Sequence, residues 1–254
     1  MFKDGHLFIY AKDTVILYNA PVSTVDSFSS GGFNMQYYSE PIHRESDNES
    51  WILIEQLKNN IIYVDVPAFS SVFHYQKFHL LINQFSYSNG IILDLRANGG
   101  DDPVNCIDLA ACFFTETRTM WFQKFKAGAG HNDFSEITPI TATGFGFVDK
   151  NIPVVVLCGS YTYSAANYFV GIMKYLPNVT VIGVKTGGGG SARINKLMPN
   201  GWRLYYPYTP AYDIQMNSLE KGVEPHITIE ATAEQLQQNH YLVFETAYNY
   251  LINQ

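Results

Sequence analysis

The sequence lacks a long apolar run, and basic side chains are few. No run approaches the roughly 20 apolar residues that a membrane-spanning helix needs, so no membrane span is predicted. The 16 Lys and Arg are outnumbered by 23 Asp and Glu, and the resulting net charge of −7 argues against nucleic acid or an anionic membrane surface as a partner. The opening stretch MFKDGHLFIY has no cleavable apolar core, so no signal peptide is predicted.

Cysteine is scarce as well. Cys106 and Cys112 lie in one predicted helix, and Cys158 ends a predicted buried strand. We interpret all three as small buried hydrophobic side chains, and we expect no disulfide framework. No group of Cys and His residues has the spacing of metal ligands, so no metal site is predicted.

Apolar and aromatic residues are abundant. Apolar residues make up 46% of the chain and charged residues 15%, which is typical of a folded globular protein. The 18 Tyr and 17 Phe predict aromatic packing in the interior or along a groove. No repeat is present, and no linker rich in Pro or Ser divides residues 51–254. We assign these residues to one core and residues 1–50 to an N-terminal segment of the same domain.

Apolar runs and helical patterns alternate from residue 51 onward. Continuous apolar runs, such as those at 90–96 and 154–158, predict strands that are buried on both faces. Apolar positions at three- and four-residue spacing predict helices between them, and a capping box at Thr232 predicts a final helix that runs to the C-terminus. This alternation predicts an α/β fold with a mixed, largely buried sheet and flanking helices.

The stretch GSYTYSAANYF, residues 159–169, puts Ser164 where a predicted strand ends and a predicted helix begins. One interpretation is an ordinary helix cap, in which the hydroxyl accepts a backbone N–H. The other is a nucleophile, because the positive end of the helix favours developing negative charge and the N–H of Ala165 can donate to an oxyanion. This stretch alone leaves both interpretations open.

Two glycine-rich segments also follow predicted strands. In LDLRANGG, Gly99 and Gly100 either make a tight turn or supply a second oxyanion donor, because no side chain shields their N–H groups. In KTGGGGS, residues 185–191, the four glycines indicate either close approach of another backbone or a ligand, or a flexible loop.

Together these segments resemble the tail-specific, or C-terminal processing, serine proteases over roughly residues 60–225. The resemblance implies a Clp-protease/crotonase-type fold and a nucleophile at Ser164 that forms an acyl-enzyme. It also implies an oxyanion hole made by Ala165 with Gly99 or Gly100. The expected substrate is a peptide or protein, no cofactor is expected, and relatives commonly work in the cell envelope.

The chain departs from the family pattern at the general base. The family's lysine falls on Gly189, and Asn167 replaces the usual Glu, so the serine–lysine dyad is absent. Lys185 is interpreted as a solvated lysine, not as a displaced base. Only about fifty residues separate His6 from Asn60, so we expect no PDZ module in this region.

A tricorn-like branch of the family uses His and Glu in place of lysine, and two segments resemble its motifs. DGH supplies His6, and SLEKGVEPHI supplies Glu220. The resemblance therefore implies a His6–Ser164–Glu220 set, in which the imidazole takes the serine proton and the carboxylate orients the imidazole. His131, in the glycine-rich stretch GAGHND, is the rival base.

Two other functions stay open. The interphotoreceptor retinoid-binding proteins share this fold, and a non-catalytic module for hydrophobic ligands would suit the aromatic-rich composition. An acyl-CoA enzyme of the crotonase type would share the oxyanion hole but would have no use for a nucleophilic serine. The sequence does not predict the oligomeric state.

Overall fold

The computed structural model describes residues 8–11, 14–17, 35–38, 44–46, 52–70, 73–229 and 242–254. The strands are β1 (Phe8–Ala11), β2 (Thr14–Leu17), β3 (Arg44–Ser46), β4 (Leu53–Leu57), β5 (Ile61–Asp65), β6 (Gly90–Asp94), β7 (Thr117–Gln123), β8 (Thr138–Thr143), β9 (Val154–Cys158), β10 (Val179–Gly183), β11 (Ser191–Leu197), β12 (Arg203–Tyr212) and β13 (Ile227–Thr228). The α-helices are α1 (Tyr75–Ile82), α2 (Pro103–Ala111), α3 (Ala165–Met173) and α4 (Leu242–Ile252), and 3-10 turns lie at Met35–Tyr37 and Leu219–Lys221.

The larger sheet has the strand order β13-β10-β9-β6-β5-β4-β3. The strands from β13 to β5 are parallel, whereas β4 and β3 are antiparallel and form one edge. Every residue of β5, β6 and β9 is buried, as their continuous apolar runs predict for strands covered on both faces. The predicted mixed, largely buried sheet is confirmed.

Helices cover both faces of this sheet. One core, on the face of α2 and α3, includes Leu93, Val156 and Phe169. A smaller core, on the face of α4, includes Ile92 and Phe244. Neighbouring strand residues enter different cores because successive side chains of a strand point to opposite faces. The predicted α/β architecture with flanking helices is therefore confirmed.

The predictions for individual elements agree with the structure within the described residues. The three cysteines are free and buried, as predicted. Asp102 caps α2 by accepting the Val104 N–H at 2.8 Å, and Pro103 occupies the first turn. The final helix is confirmed over Leu242–Ile252, whereas its predicted start at Thr232 lies outside the described residues. None of the helices in the described ranges is long and apolar enough to cross a membrane.

The second sheet is antiparallel and contributes one wall of the candidate site. Its strand order is β2-β1-β12-β7-β8, and β11 pairs with β12 as well. β12 pairs with β11 along most of its length and with β1 near its beginning. At its end, Ala211 and Tyr212 pair with Gln123 and Phe122 of β7. Both sheets contain strands from before residue 51, since β1 pairs with β12 and β3 with β4.

A buried charged cluster lies where β5 and β6 end, on the face of α4. Arg96 binds the Asp94 carboxylate with its side chain, with an Nη2–Oδ2 distance of 2.6 Å, and the Tyr63 hydroxyl donates to Asp94 Oδ2 at 2.7 Å. Burial alone would raise the pKa of Asp94, but the Arg96 guanidinium and these hydrogen bonds hold it below its usual value. Burial, followed by the negative charge of Asp94, raises the pKa of Asp65 to about 7.

Candidate active site

Ser164 is the residue before the first turn of α3, and its backbone is strained. Its φ of 54° and ψ of −122° belong to a region that residues other than glycine rarely adopt. Its N–H donates to the Gly188 carbonyl at 2.9 Å, and its side chain makes no capping hydrogen bond to the helix. The helix-cap interpretation of this serine is therefore wrong. Non-glycine residues held in such strain often lie at functional sites.

An open cleft of about 720 Å³ contains Ser164, Ala165, Gly99 and Gly100 in its lining. The lining also includes Trp121 and Gln123 of β7, Ser191 of β11, and the aromatic residues Tyr161, Tyr163 and Tyr168. The serine, the predicted oxyanion donors and the wall formed by the second sheet thus share one cleft.

The two glycines of the LDLRANGG segment differ in their hydrogen bonds. The Gly100 N–H donates to Asn98 Oδ1 at 2.8 Å. Within the described part of the chain, the N–H groups of Gly99 and Ala165 have no hydrogen-bond partner. Gly100 has a φ of +98°, and a Cβ on it would lie 2.7 Å from the Ala165 nitrogen. Gly100 therefore packs against the turn that contains Ser164, while the other two N–H groups are available to a ligand.

Backbone segments hold the serine turn from two sides. The Tyr163 N–H donates to the Asn98 carbonyl at 3.1 Å on one side. On the other side, Tyr163 forms a parallel β-bridge with Gly188, whose carbonyl accepts the Ser164 N–H. The strained turn is thus fixed by main-chain hydrogen bonds from two separate loops.

The glycine run is pressed between the serine turn and the segment of Glu220. A Cβ on Gly188 would lie 2.3 Å from the Glu220 carbonyl oxygen, and one on Gly190 would lie 2.3 Å from the Leu219 carbonyl carbon. Main chain therefore contacts main chain, and side chains do not fit between them. Close approach of another backbone, one of the two interpretations of this run, is confirmed.

Glu220 lies in the 3-10 turn Leu219–Lys221 and is half-buried. Its carboxylate is close enough to Tyr168, one turn after Ser164 on α3, to influence the phenol. Burial, with smaller contributions from the Cys106 thiol and the Glu220 carboxylate, raises the pKa of Tyr168. Glu220 does not itself line the cleft, but the Gly189 N–H donates to its carbonyl at 3.4 Å, so its segment lies beside the glycine run that holds the serine turn.

The structure brings no histidine into the cleft from the ranges it describes. The described histidines are His74, His79, His131 and His226. His131 is exposed in the loop between β7 and β8, where its carbonyl accepts a hydrogen bond from Lys126 Nζ at 3.0 Å, and it does not line the cleft. His6 lies outside the described residues.

Two positions bear on the missing lysine base: Lys185, and Gly189, on which the family's lysine falls. Lys185 forms an exposed ion pair with Glu224, with an Nζ–Oε1 distance of 2.8 Å, so its interpretation as a solvated lysine is confirmed. Gly189 has a φ of +78°, and a Cβ on it would lie 2.4 Å from Cζ of Tyr163. The Tyr163 ring therefore fills the space that a side chain at position 189 would enter.

The aromatic composition predicted aromatic packing in the interior or along a groove, but it did not identify the residues that form the aromatic wall of the cleft. The rings of Trp121 and Tyr168 lie 4.7 Å apart, and the Trp121 indole N–H donates to Gln123 Oε1 at 3.0 Å. Tyr168 had a local signal, because a residue four positions after Ser164 lies on the same helix face. Trp121 had none, since it reaches the cleft through the pairing of β7 with β12.

Solved structures share this architecture. A protein from Parabacteroides merdae, described as a candidate peptidase, matches with a TM-score of 0.81 and 26% identity over 98% of this chain and 78% of that one. Mature CPAF complexed with lactacystin has a TM-score of 0.65 at 16% identity, over 86% of this chain and 56% of that one. The photosystem II D1 C-terminal processing protease has a TM-score of 0.54 at 20% identity, over 75% and 48%. The last two similarities concern the fold.

No match to this chain was found among the curated proteins. The family model of peptidase family S41 matches residues 60–229, well over half of the chain. The matched range includes Ser164, both glycine-rich segments and Glu220. The resemblance to the tail-specific proteases is thereby confirmed, and the chain belongs to peptidase family S41.

Proposed function

We propose that this S41 peptidase cleaves peptide bonds through an acyl-enzyme on Ser164. One observation carries the proposal. A strained serine at the start of α3 lies in the same cleft as two N–H groups, those of Ala165 and Gly99, that the described residues leave without a partner. Donors of this kind stabilise the negative charge that develops on a carbonyl oxygen when a nucleophile attacks it.

The oxyanion hole is assigned to the N–H groups of Ala165 and Gly99. The helix dipole of α3 adds to the effect of the Ala165 N–H, because Ala165 is the first residue of the helix. Gly100 has a different role in this proposal. Its N–H is already used by Asn98, and its missing side chain lets the segment approach the Ser164–Ala165 peptide.

His6 is the proposed general base and Glu220 the carboxylate that orients it, as the resemblance to the His/Glu branch implies. The Ser164 hydroxyl attacks the peptide carbonyl while its proton passes to the imidazole. The C–N bond then breaks as the proton moves to the leaving amine, and water later hydrolyses the ester by the same route. The main-chain hydrogen bonds that join the Glu220 segment to the glycine run, and the glycine run to Ser164, support its part of this assignment.

Two observations argue against a lysine base. Tyr163 fills the space next to Gly189, and Lys185 is paired with Glu224 outside the cleft. A histidine base predicts that reaction with a fluorophosphonate rises with pH around the ordinary imidazole pKa of about 6.5, and not in the alkaline range of a lysine.

The test is fluorophosphonate labelling followed by mass mapping of the modified peptide. Wild type should be labelled on Ser164, and Ser164→Ala should not be labelled. His6→Ala should abolish labelling, whereas His131→Ala should leave it unchanged. Labelling that survives in His6→Ala and disappears in His131→Ala would overturn the base assignment. An inert wild type that retains a hydrophobic molecule through purification would instead favour the non-catalytic binding module.

A further inference from the structure

A chain of buried, uncharged hydrogen bonds connects α3 to the Glu220 segment. The Asn167 amide Nδ2–H donates to the Leu219 carbonyl at 2.9 Å. The Thr186 hydroxyl donates to Asn167 Oδ1 at 2.6 Å, and the same hydroxyl oxygen accepts the Val223 N–H at 2.6 Å. Asn167 is fully buried, and Thr186 is only 4% exposed.

The direction of each of these bonds follows from chemistry. The Val223 N–H is a donor, so the Thr186 oxygen must accept from it and its proton is free to go to Asn167 Oδ1. The amide nitrogen of Asn167 then faces the Leu219 carbonyl, which only accepts. The network therefore requires an amide at position 167 and a hydroxyl at position 186.

This network binds the main chain on both sides of Glu220. Leu219 precedes Glu220 directly, and Val223 follows it by three residues. A second bond from the Thr186 N–H to the Val223 carbonyl, at 3.1 Å, ties the same end again. Gly222 allows the close approach, since its φ is +82° and a Cβ on it would lie 2.2 Å from the Thr186 carbonyl oxygen.

Asn167 also connects the hydrogen-bonded network to the helix that follows Ser164. It follows Ser164 by three residues at the start of α3, and residues at this spacing are neighbours on a helix surface. Through Asn167 the Leu219–Lys221 turn is attached to the helix that carries the serine. A carboxylate at position 167 would instead set a charged oxygen against the Leu219 carbonyl in a buried site, which is strongly unfavourable. The presence of Asn in place of the family's usual Glu thus has a physical reason in this chain.

We infer that Asn167 and Thr186 are positioning residues that hold Glu220 at the distance from Ser164 that the general base requires. This inference rests on the proposed function, because it assigns Glu220 the task of orienting the base. It goes further because it proposes that the uncharged Asn167–Thr186 network, which takes no part in the reaction itself, determines the position of that carboxylate.

The test compares Thr186→Val, Thr186→Ser and Asn167→Asp in fluorophosphonate labelling across pH. Thr186→Val and Asn167→Asp should lower the labelling rate by up to about a hundredfold, since a shift of about 1 Å in a catalytic group has effects of this size. The midpoint of their pH profiles should move to lower pH, because an imidazole that loses its carboxylate partner is protonated less readily. Thr186→Ser keeps the hydroxyl and should retain the rate and midpoint of wild type.

Asn178→Asp is the matched control for folding. The Asn178 amide also donates to a main-chain carbonyl, that of Ile152 at 2.7 Å, but at the opposite end of the sheet. This variant should lose thermal stability without a change in the pH midpoint. A general loss of stability in the test variants would otherwise imitate a catalytic effect.

A double-mutant cycle with Glu220→Gln completes the design. If Thr186 acts through Glu220, Thr186→Val should have no further effect on residual labelling in the Glu220→Gln background. Additive effects, or test variants that keep the rate and midpoint of wild type, would overturn the positioning role while the proposed function stands. A wild type that is not labelled on Ser164 would overturn both.

Discussion

Two polar clusters lie at the carboxyl ends of the central strands, and they are built in opposite ways. Around Ser164, an open cleft is held by hydrogen bonds between main-chain N–H and carbonyl groups of separate loops. Around Asp94, side-chain charges neutralise each other in a closed site. In the proposed mechanism the first cluster accepts a new negative charge from a substrate, whereas the second cluster already has its counter-charge.

Strand β6 serves both clusters, which makes the comparison direct. It ends at Asp94, whose carboxylate binds Arg96, and within a few residues the chain reaches Gly99 and Gly100 in the cleft. The same strand end therefore supplies a charged cluster on one face and, on the other face, the N–H of Gly99, for which the described residues provide no hydrogen-bond partner.

The largest effect should come from Gly100→Ala, which breaks the main-chain cluster. Its Cβ would lie 2.5 Å from the Tyr163 carbonyl oxygen and 2.7 Å from the Ala165 nitrogen, so the proposed oxyanion donor at Ala165 must move. We expect labelling of Ser164 to fall by about a hundred- to a thousandfold, the effect of losing one such donor. Gly201→Ala is the control, because Gly201 also has a positive φ, +82°, but nothing lies within 4 Å of its Cβ. Equal losses in both variants would contradict the explanation.

Next in size is Asp65→Asn, which tests the charged cluster. The folded protein keeps a proton on Asp65 up to a pH of about 7, whereas the unfolded chain releases it near 3.8. Wild-type stability should therefore fall as pH rises through this window and stay low above it. The variant should lack this fall and be more stable at pH 8 by at most about 4 kcal/mol. Urea unfolding at pH 5 and pH 8 measures the difference, and Glu224→Gln, at an exposed carboxylate, is the control. If the stability of wild type and of Asp65→Asn falls equally between pH 5 and pH 8, the role of Asp65 is refuted.

A smaller effect is expected for Gly189→Lys, which tests whether a lysine at the family's position can act as the base for Ser164. The new Cβ meets the Tyr163 ring, so we expect a loss of about 1–3 kcal/mol in stability and weaker labelling at every pH. Gly201→Lys adds the same side chain at a positive φ in open space. An inert wild type and a Gly189→Lys variant that gains labelling at alkaline pH would show that the chain is a serine–lysine enzyme that has lost its base.

The smallest effect belongs to Lys185→Ala, which removes an exposed ion pair beside the glycine run. Exposed pairs contribute about 1 kcal/mol or less, so thermal stability and labelling should both stay close to those of wild type. A large loss of labelling would make Lys185 a catalytic base after all.

Local signals predicted the core and the position of Ser164. A continuous apolar run followed by small residues at 165 and 166 marks a buried strand that leads into a helix, and both elements are local in sequence. Strands β11 and β12 were not predicted. Six of the seven residues of β11 are exposed, so it lacks the alternation that reveals a half-buried strand.

The details of the site depend on contacts between distant segments, and these the sequence left open. The choice between Gly99 and Gly100 depends on where the Asn98 side chain points. The contact between Tyr163 and Gly189 joins residues that are distant in the chain and carry no shared pattern. The cap interpretation of Ser164 was wrong because its backbone has a positive φ, which the sequence does not reveal.

In the proposed mechanism, catalysis and folding favour different residues at position 164 because of its positive φ. Glycine adopts a φ of 54° and a ψ of −122° with the least strain, so selection for folding alone would replace the serine with glycine. At Gly100 and Gly188 the same selection acts in the opposite direction, because any side chain there meets main-chain atoms. A descendant of this gene that no longer needed catalysis should therefore lose the serine early and keep the surrounding glycines long afterwards.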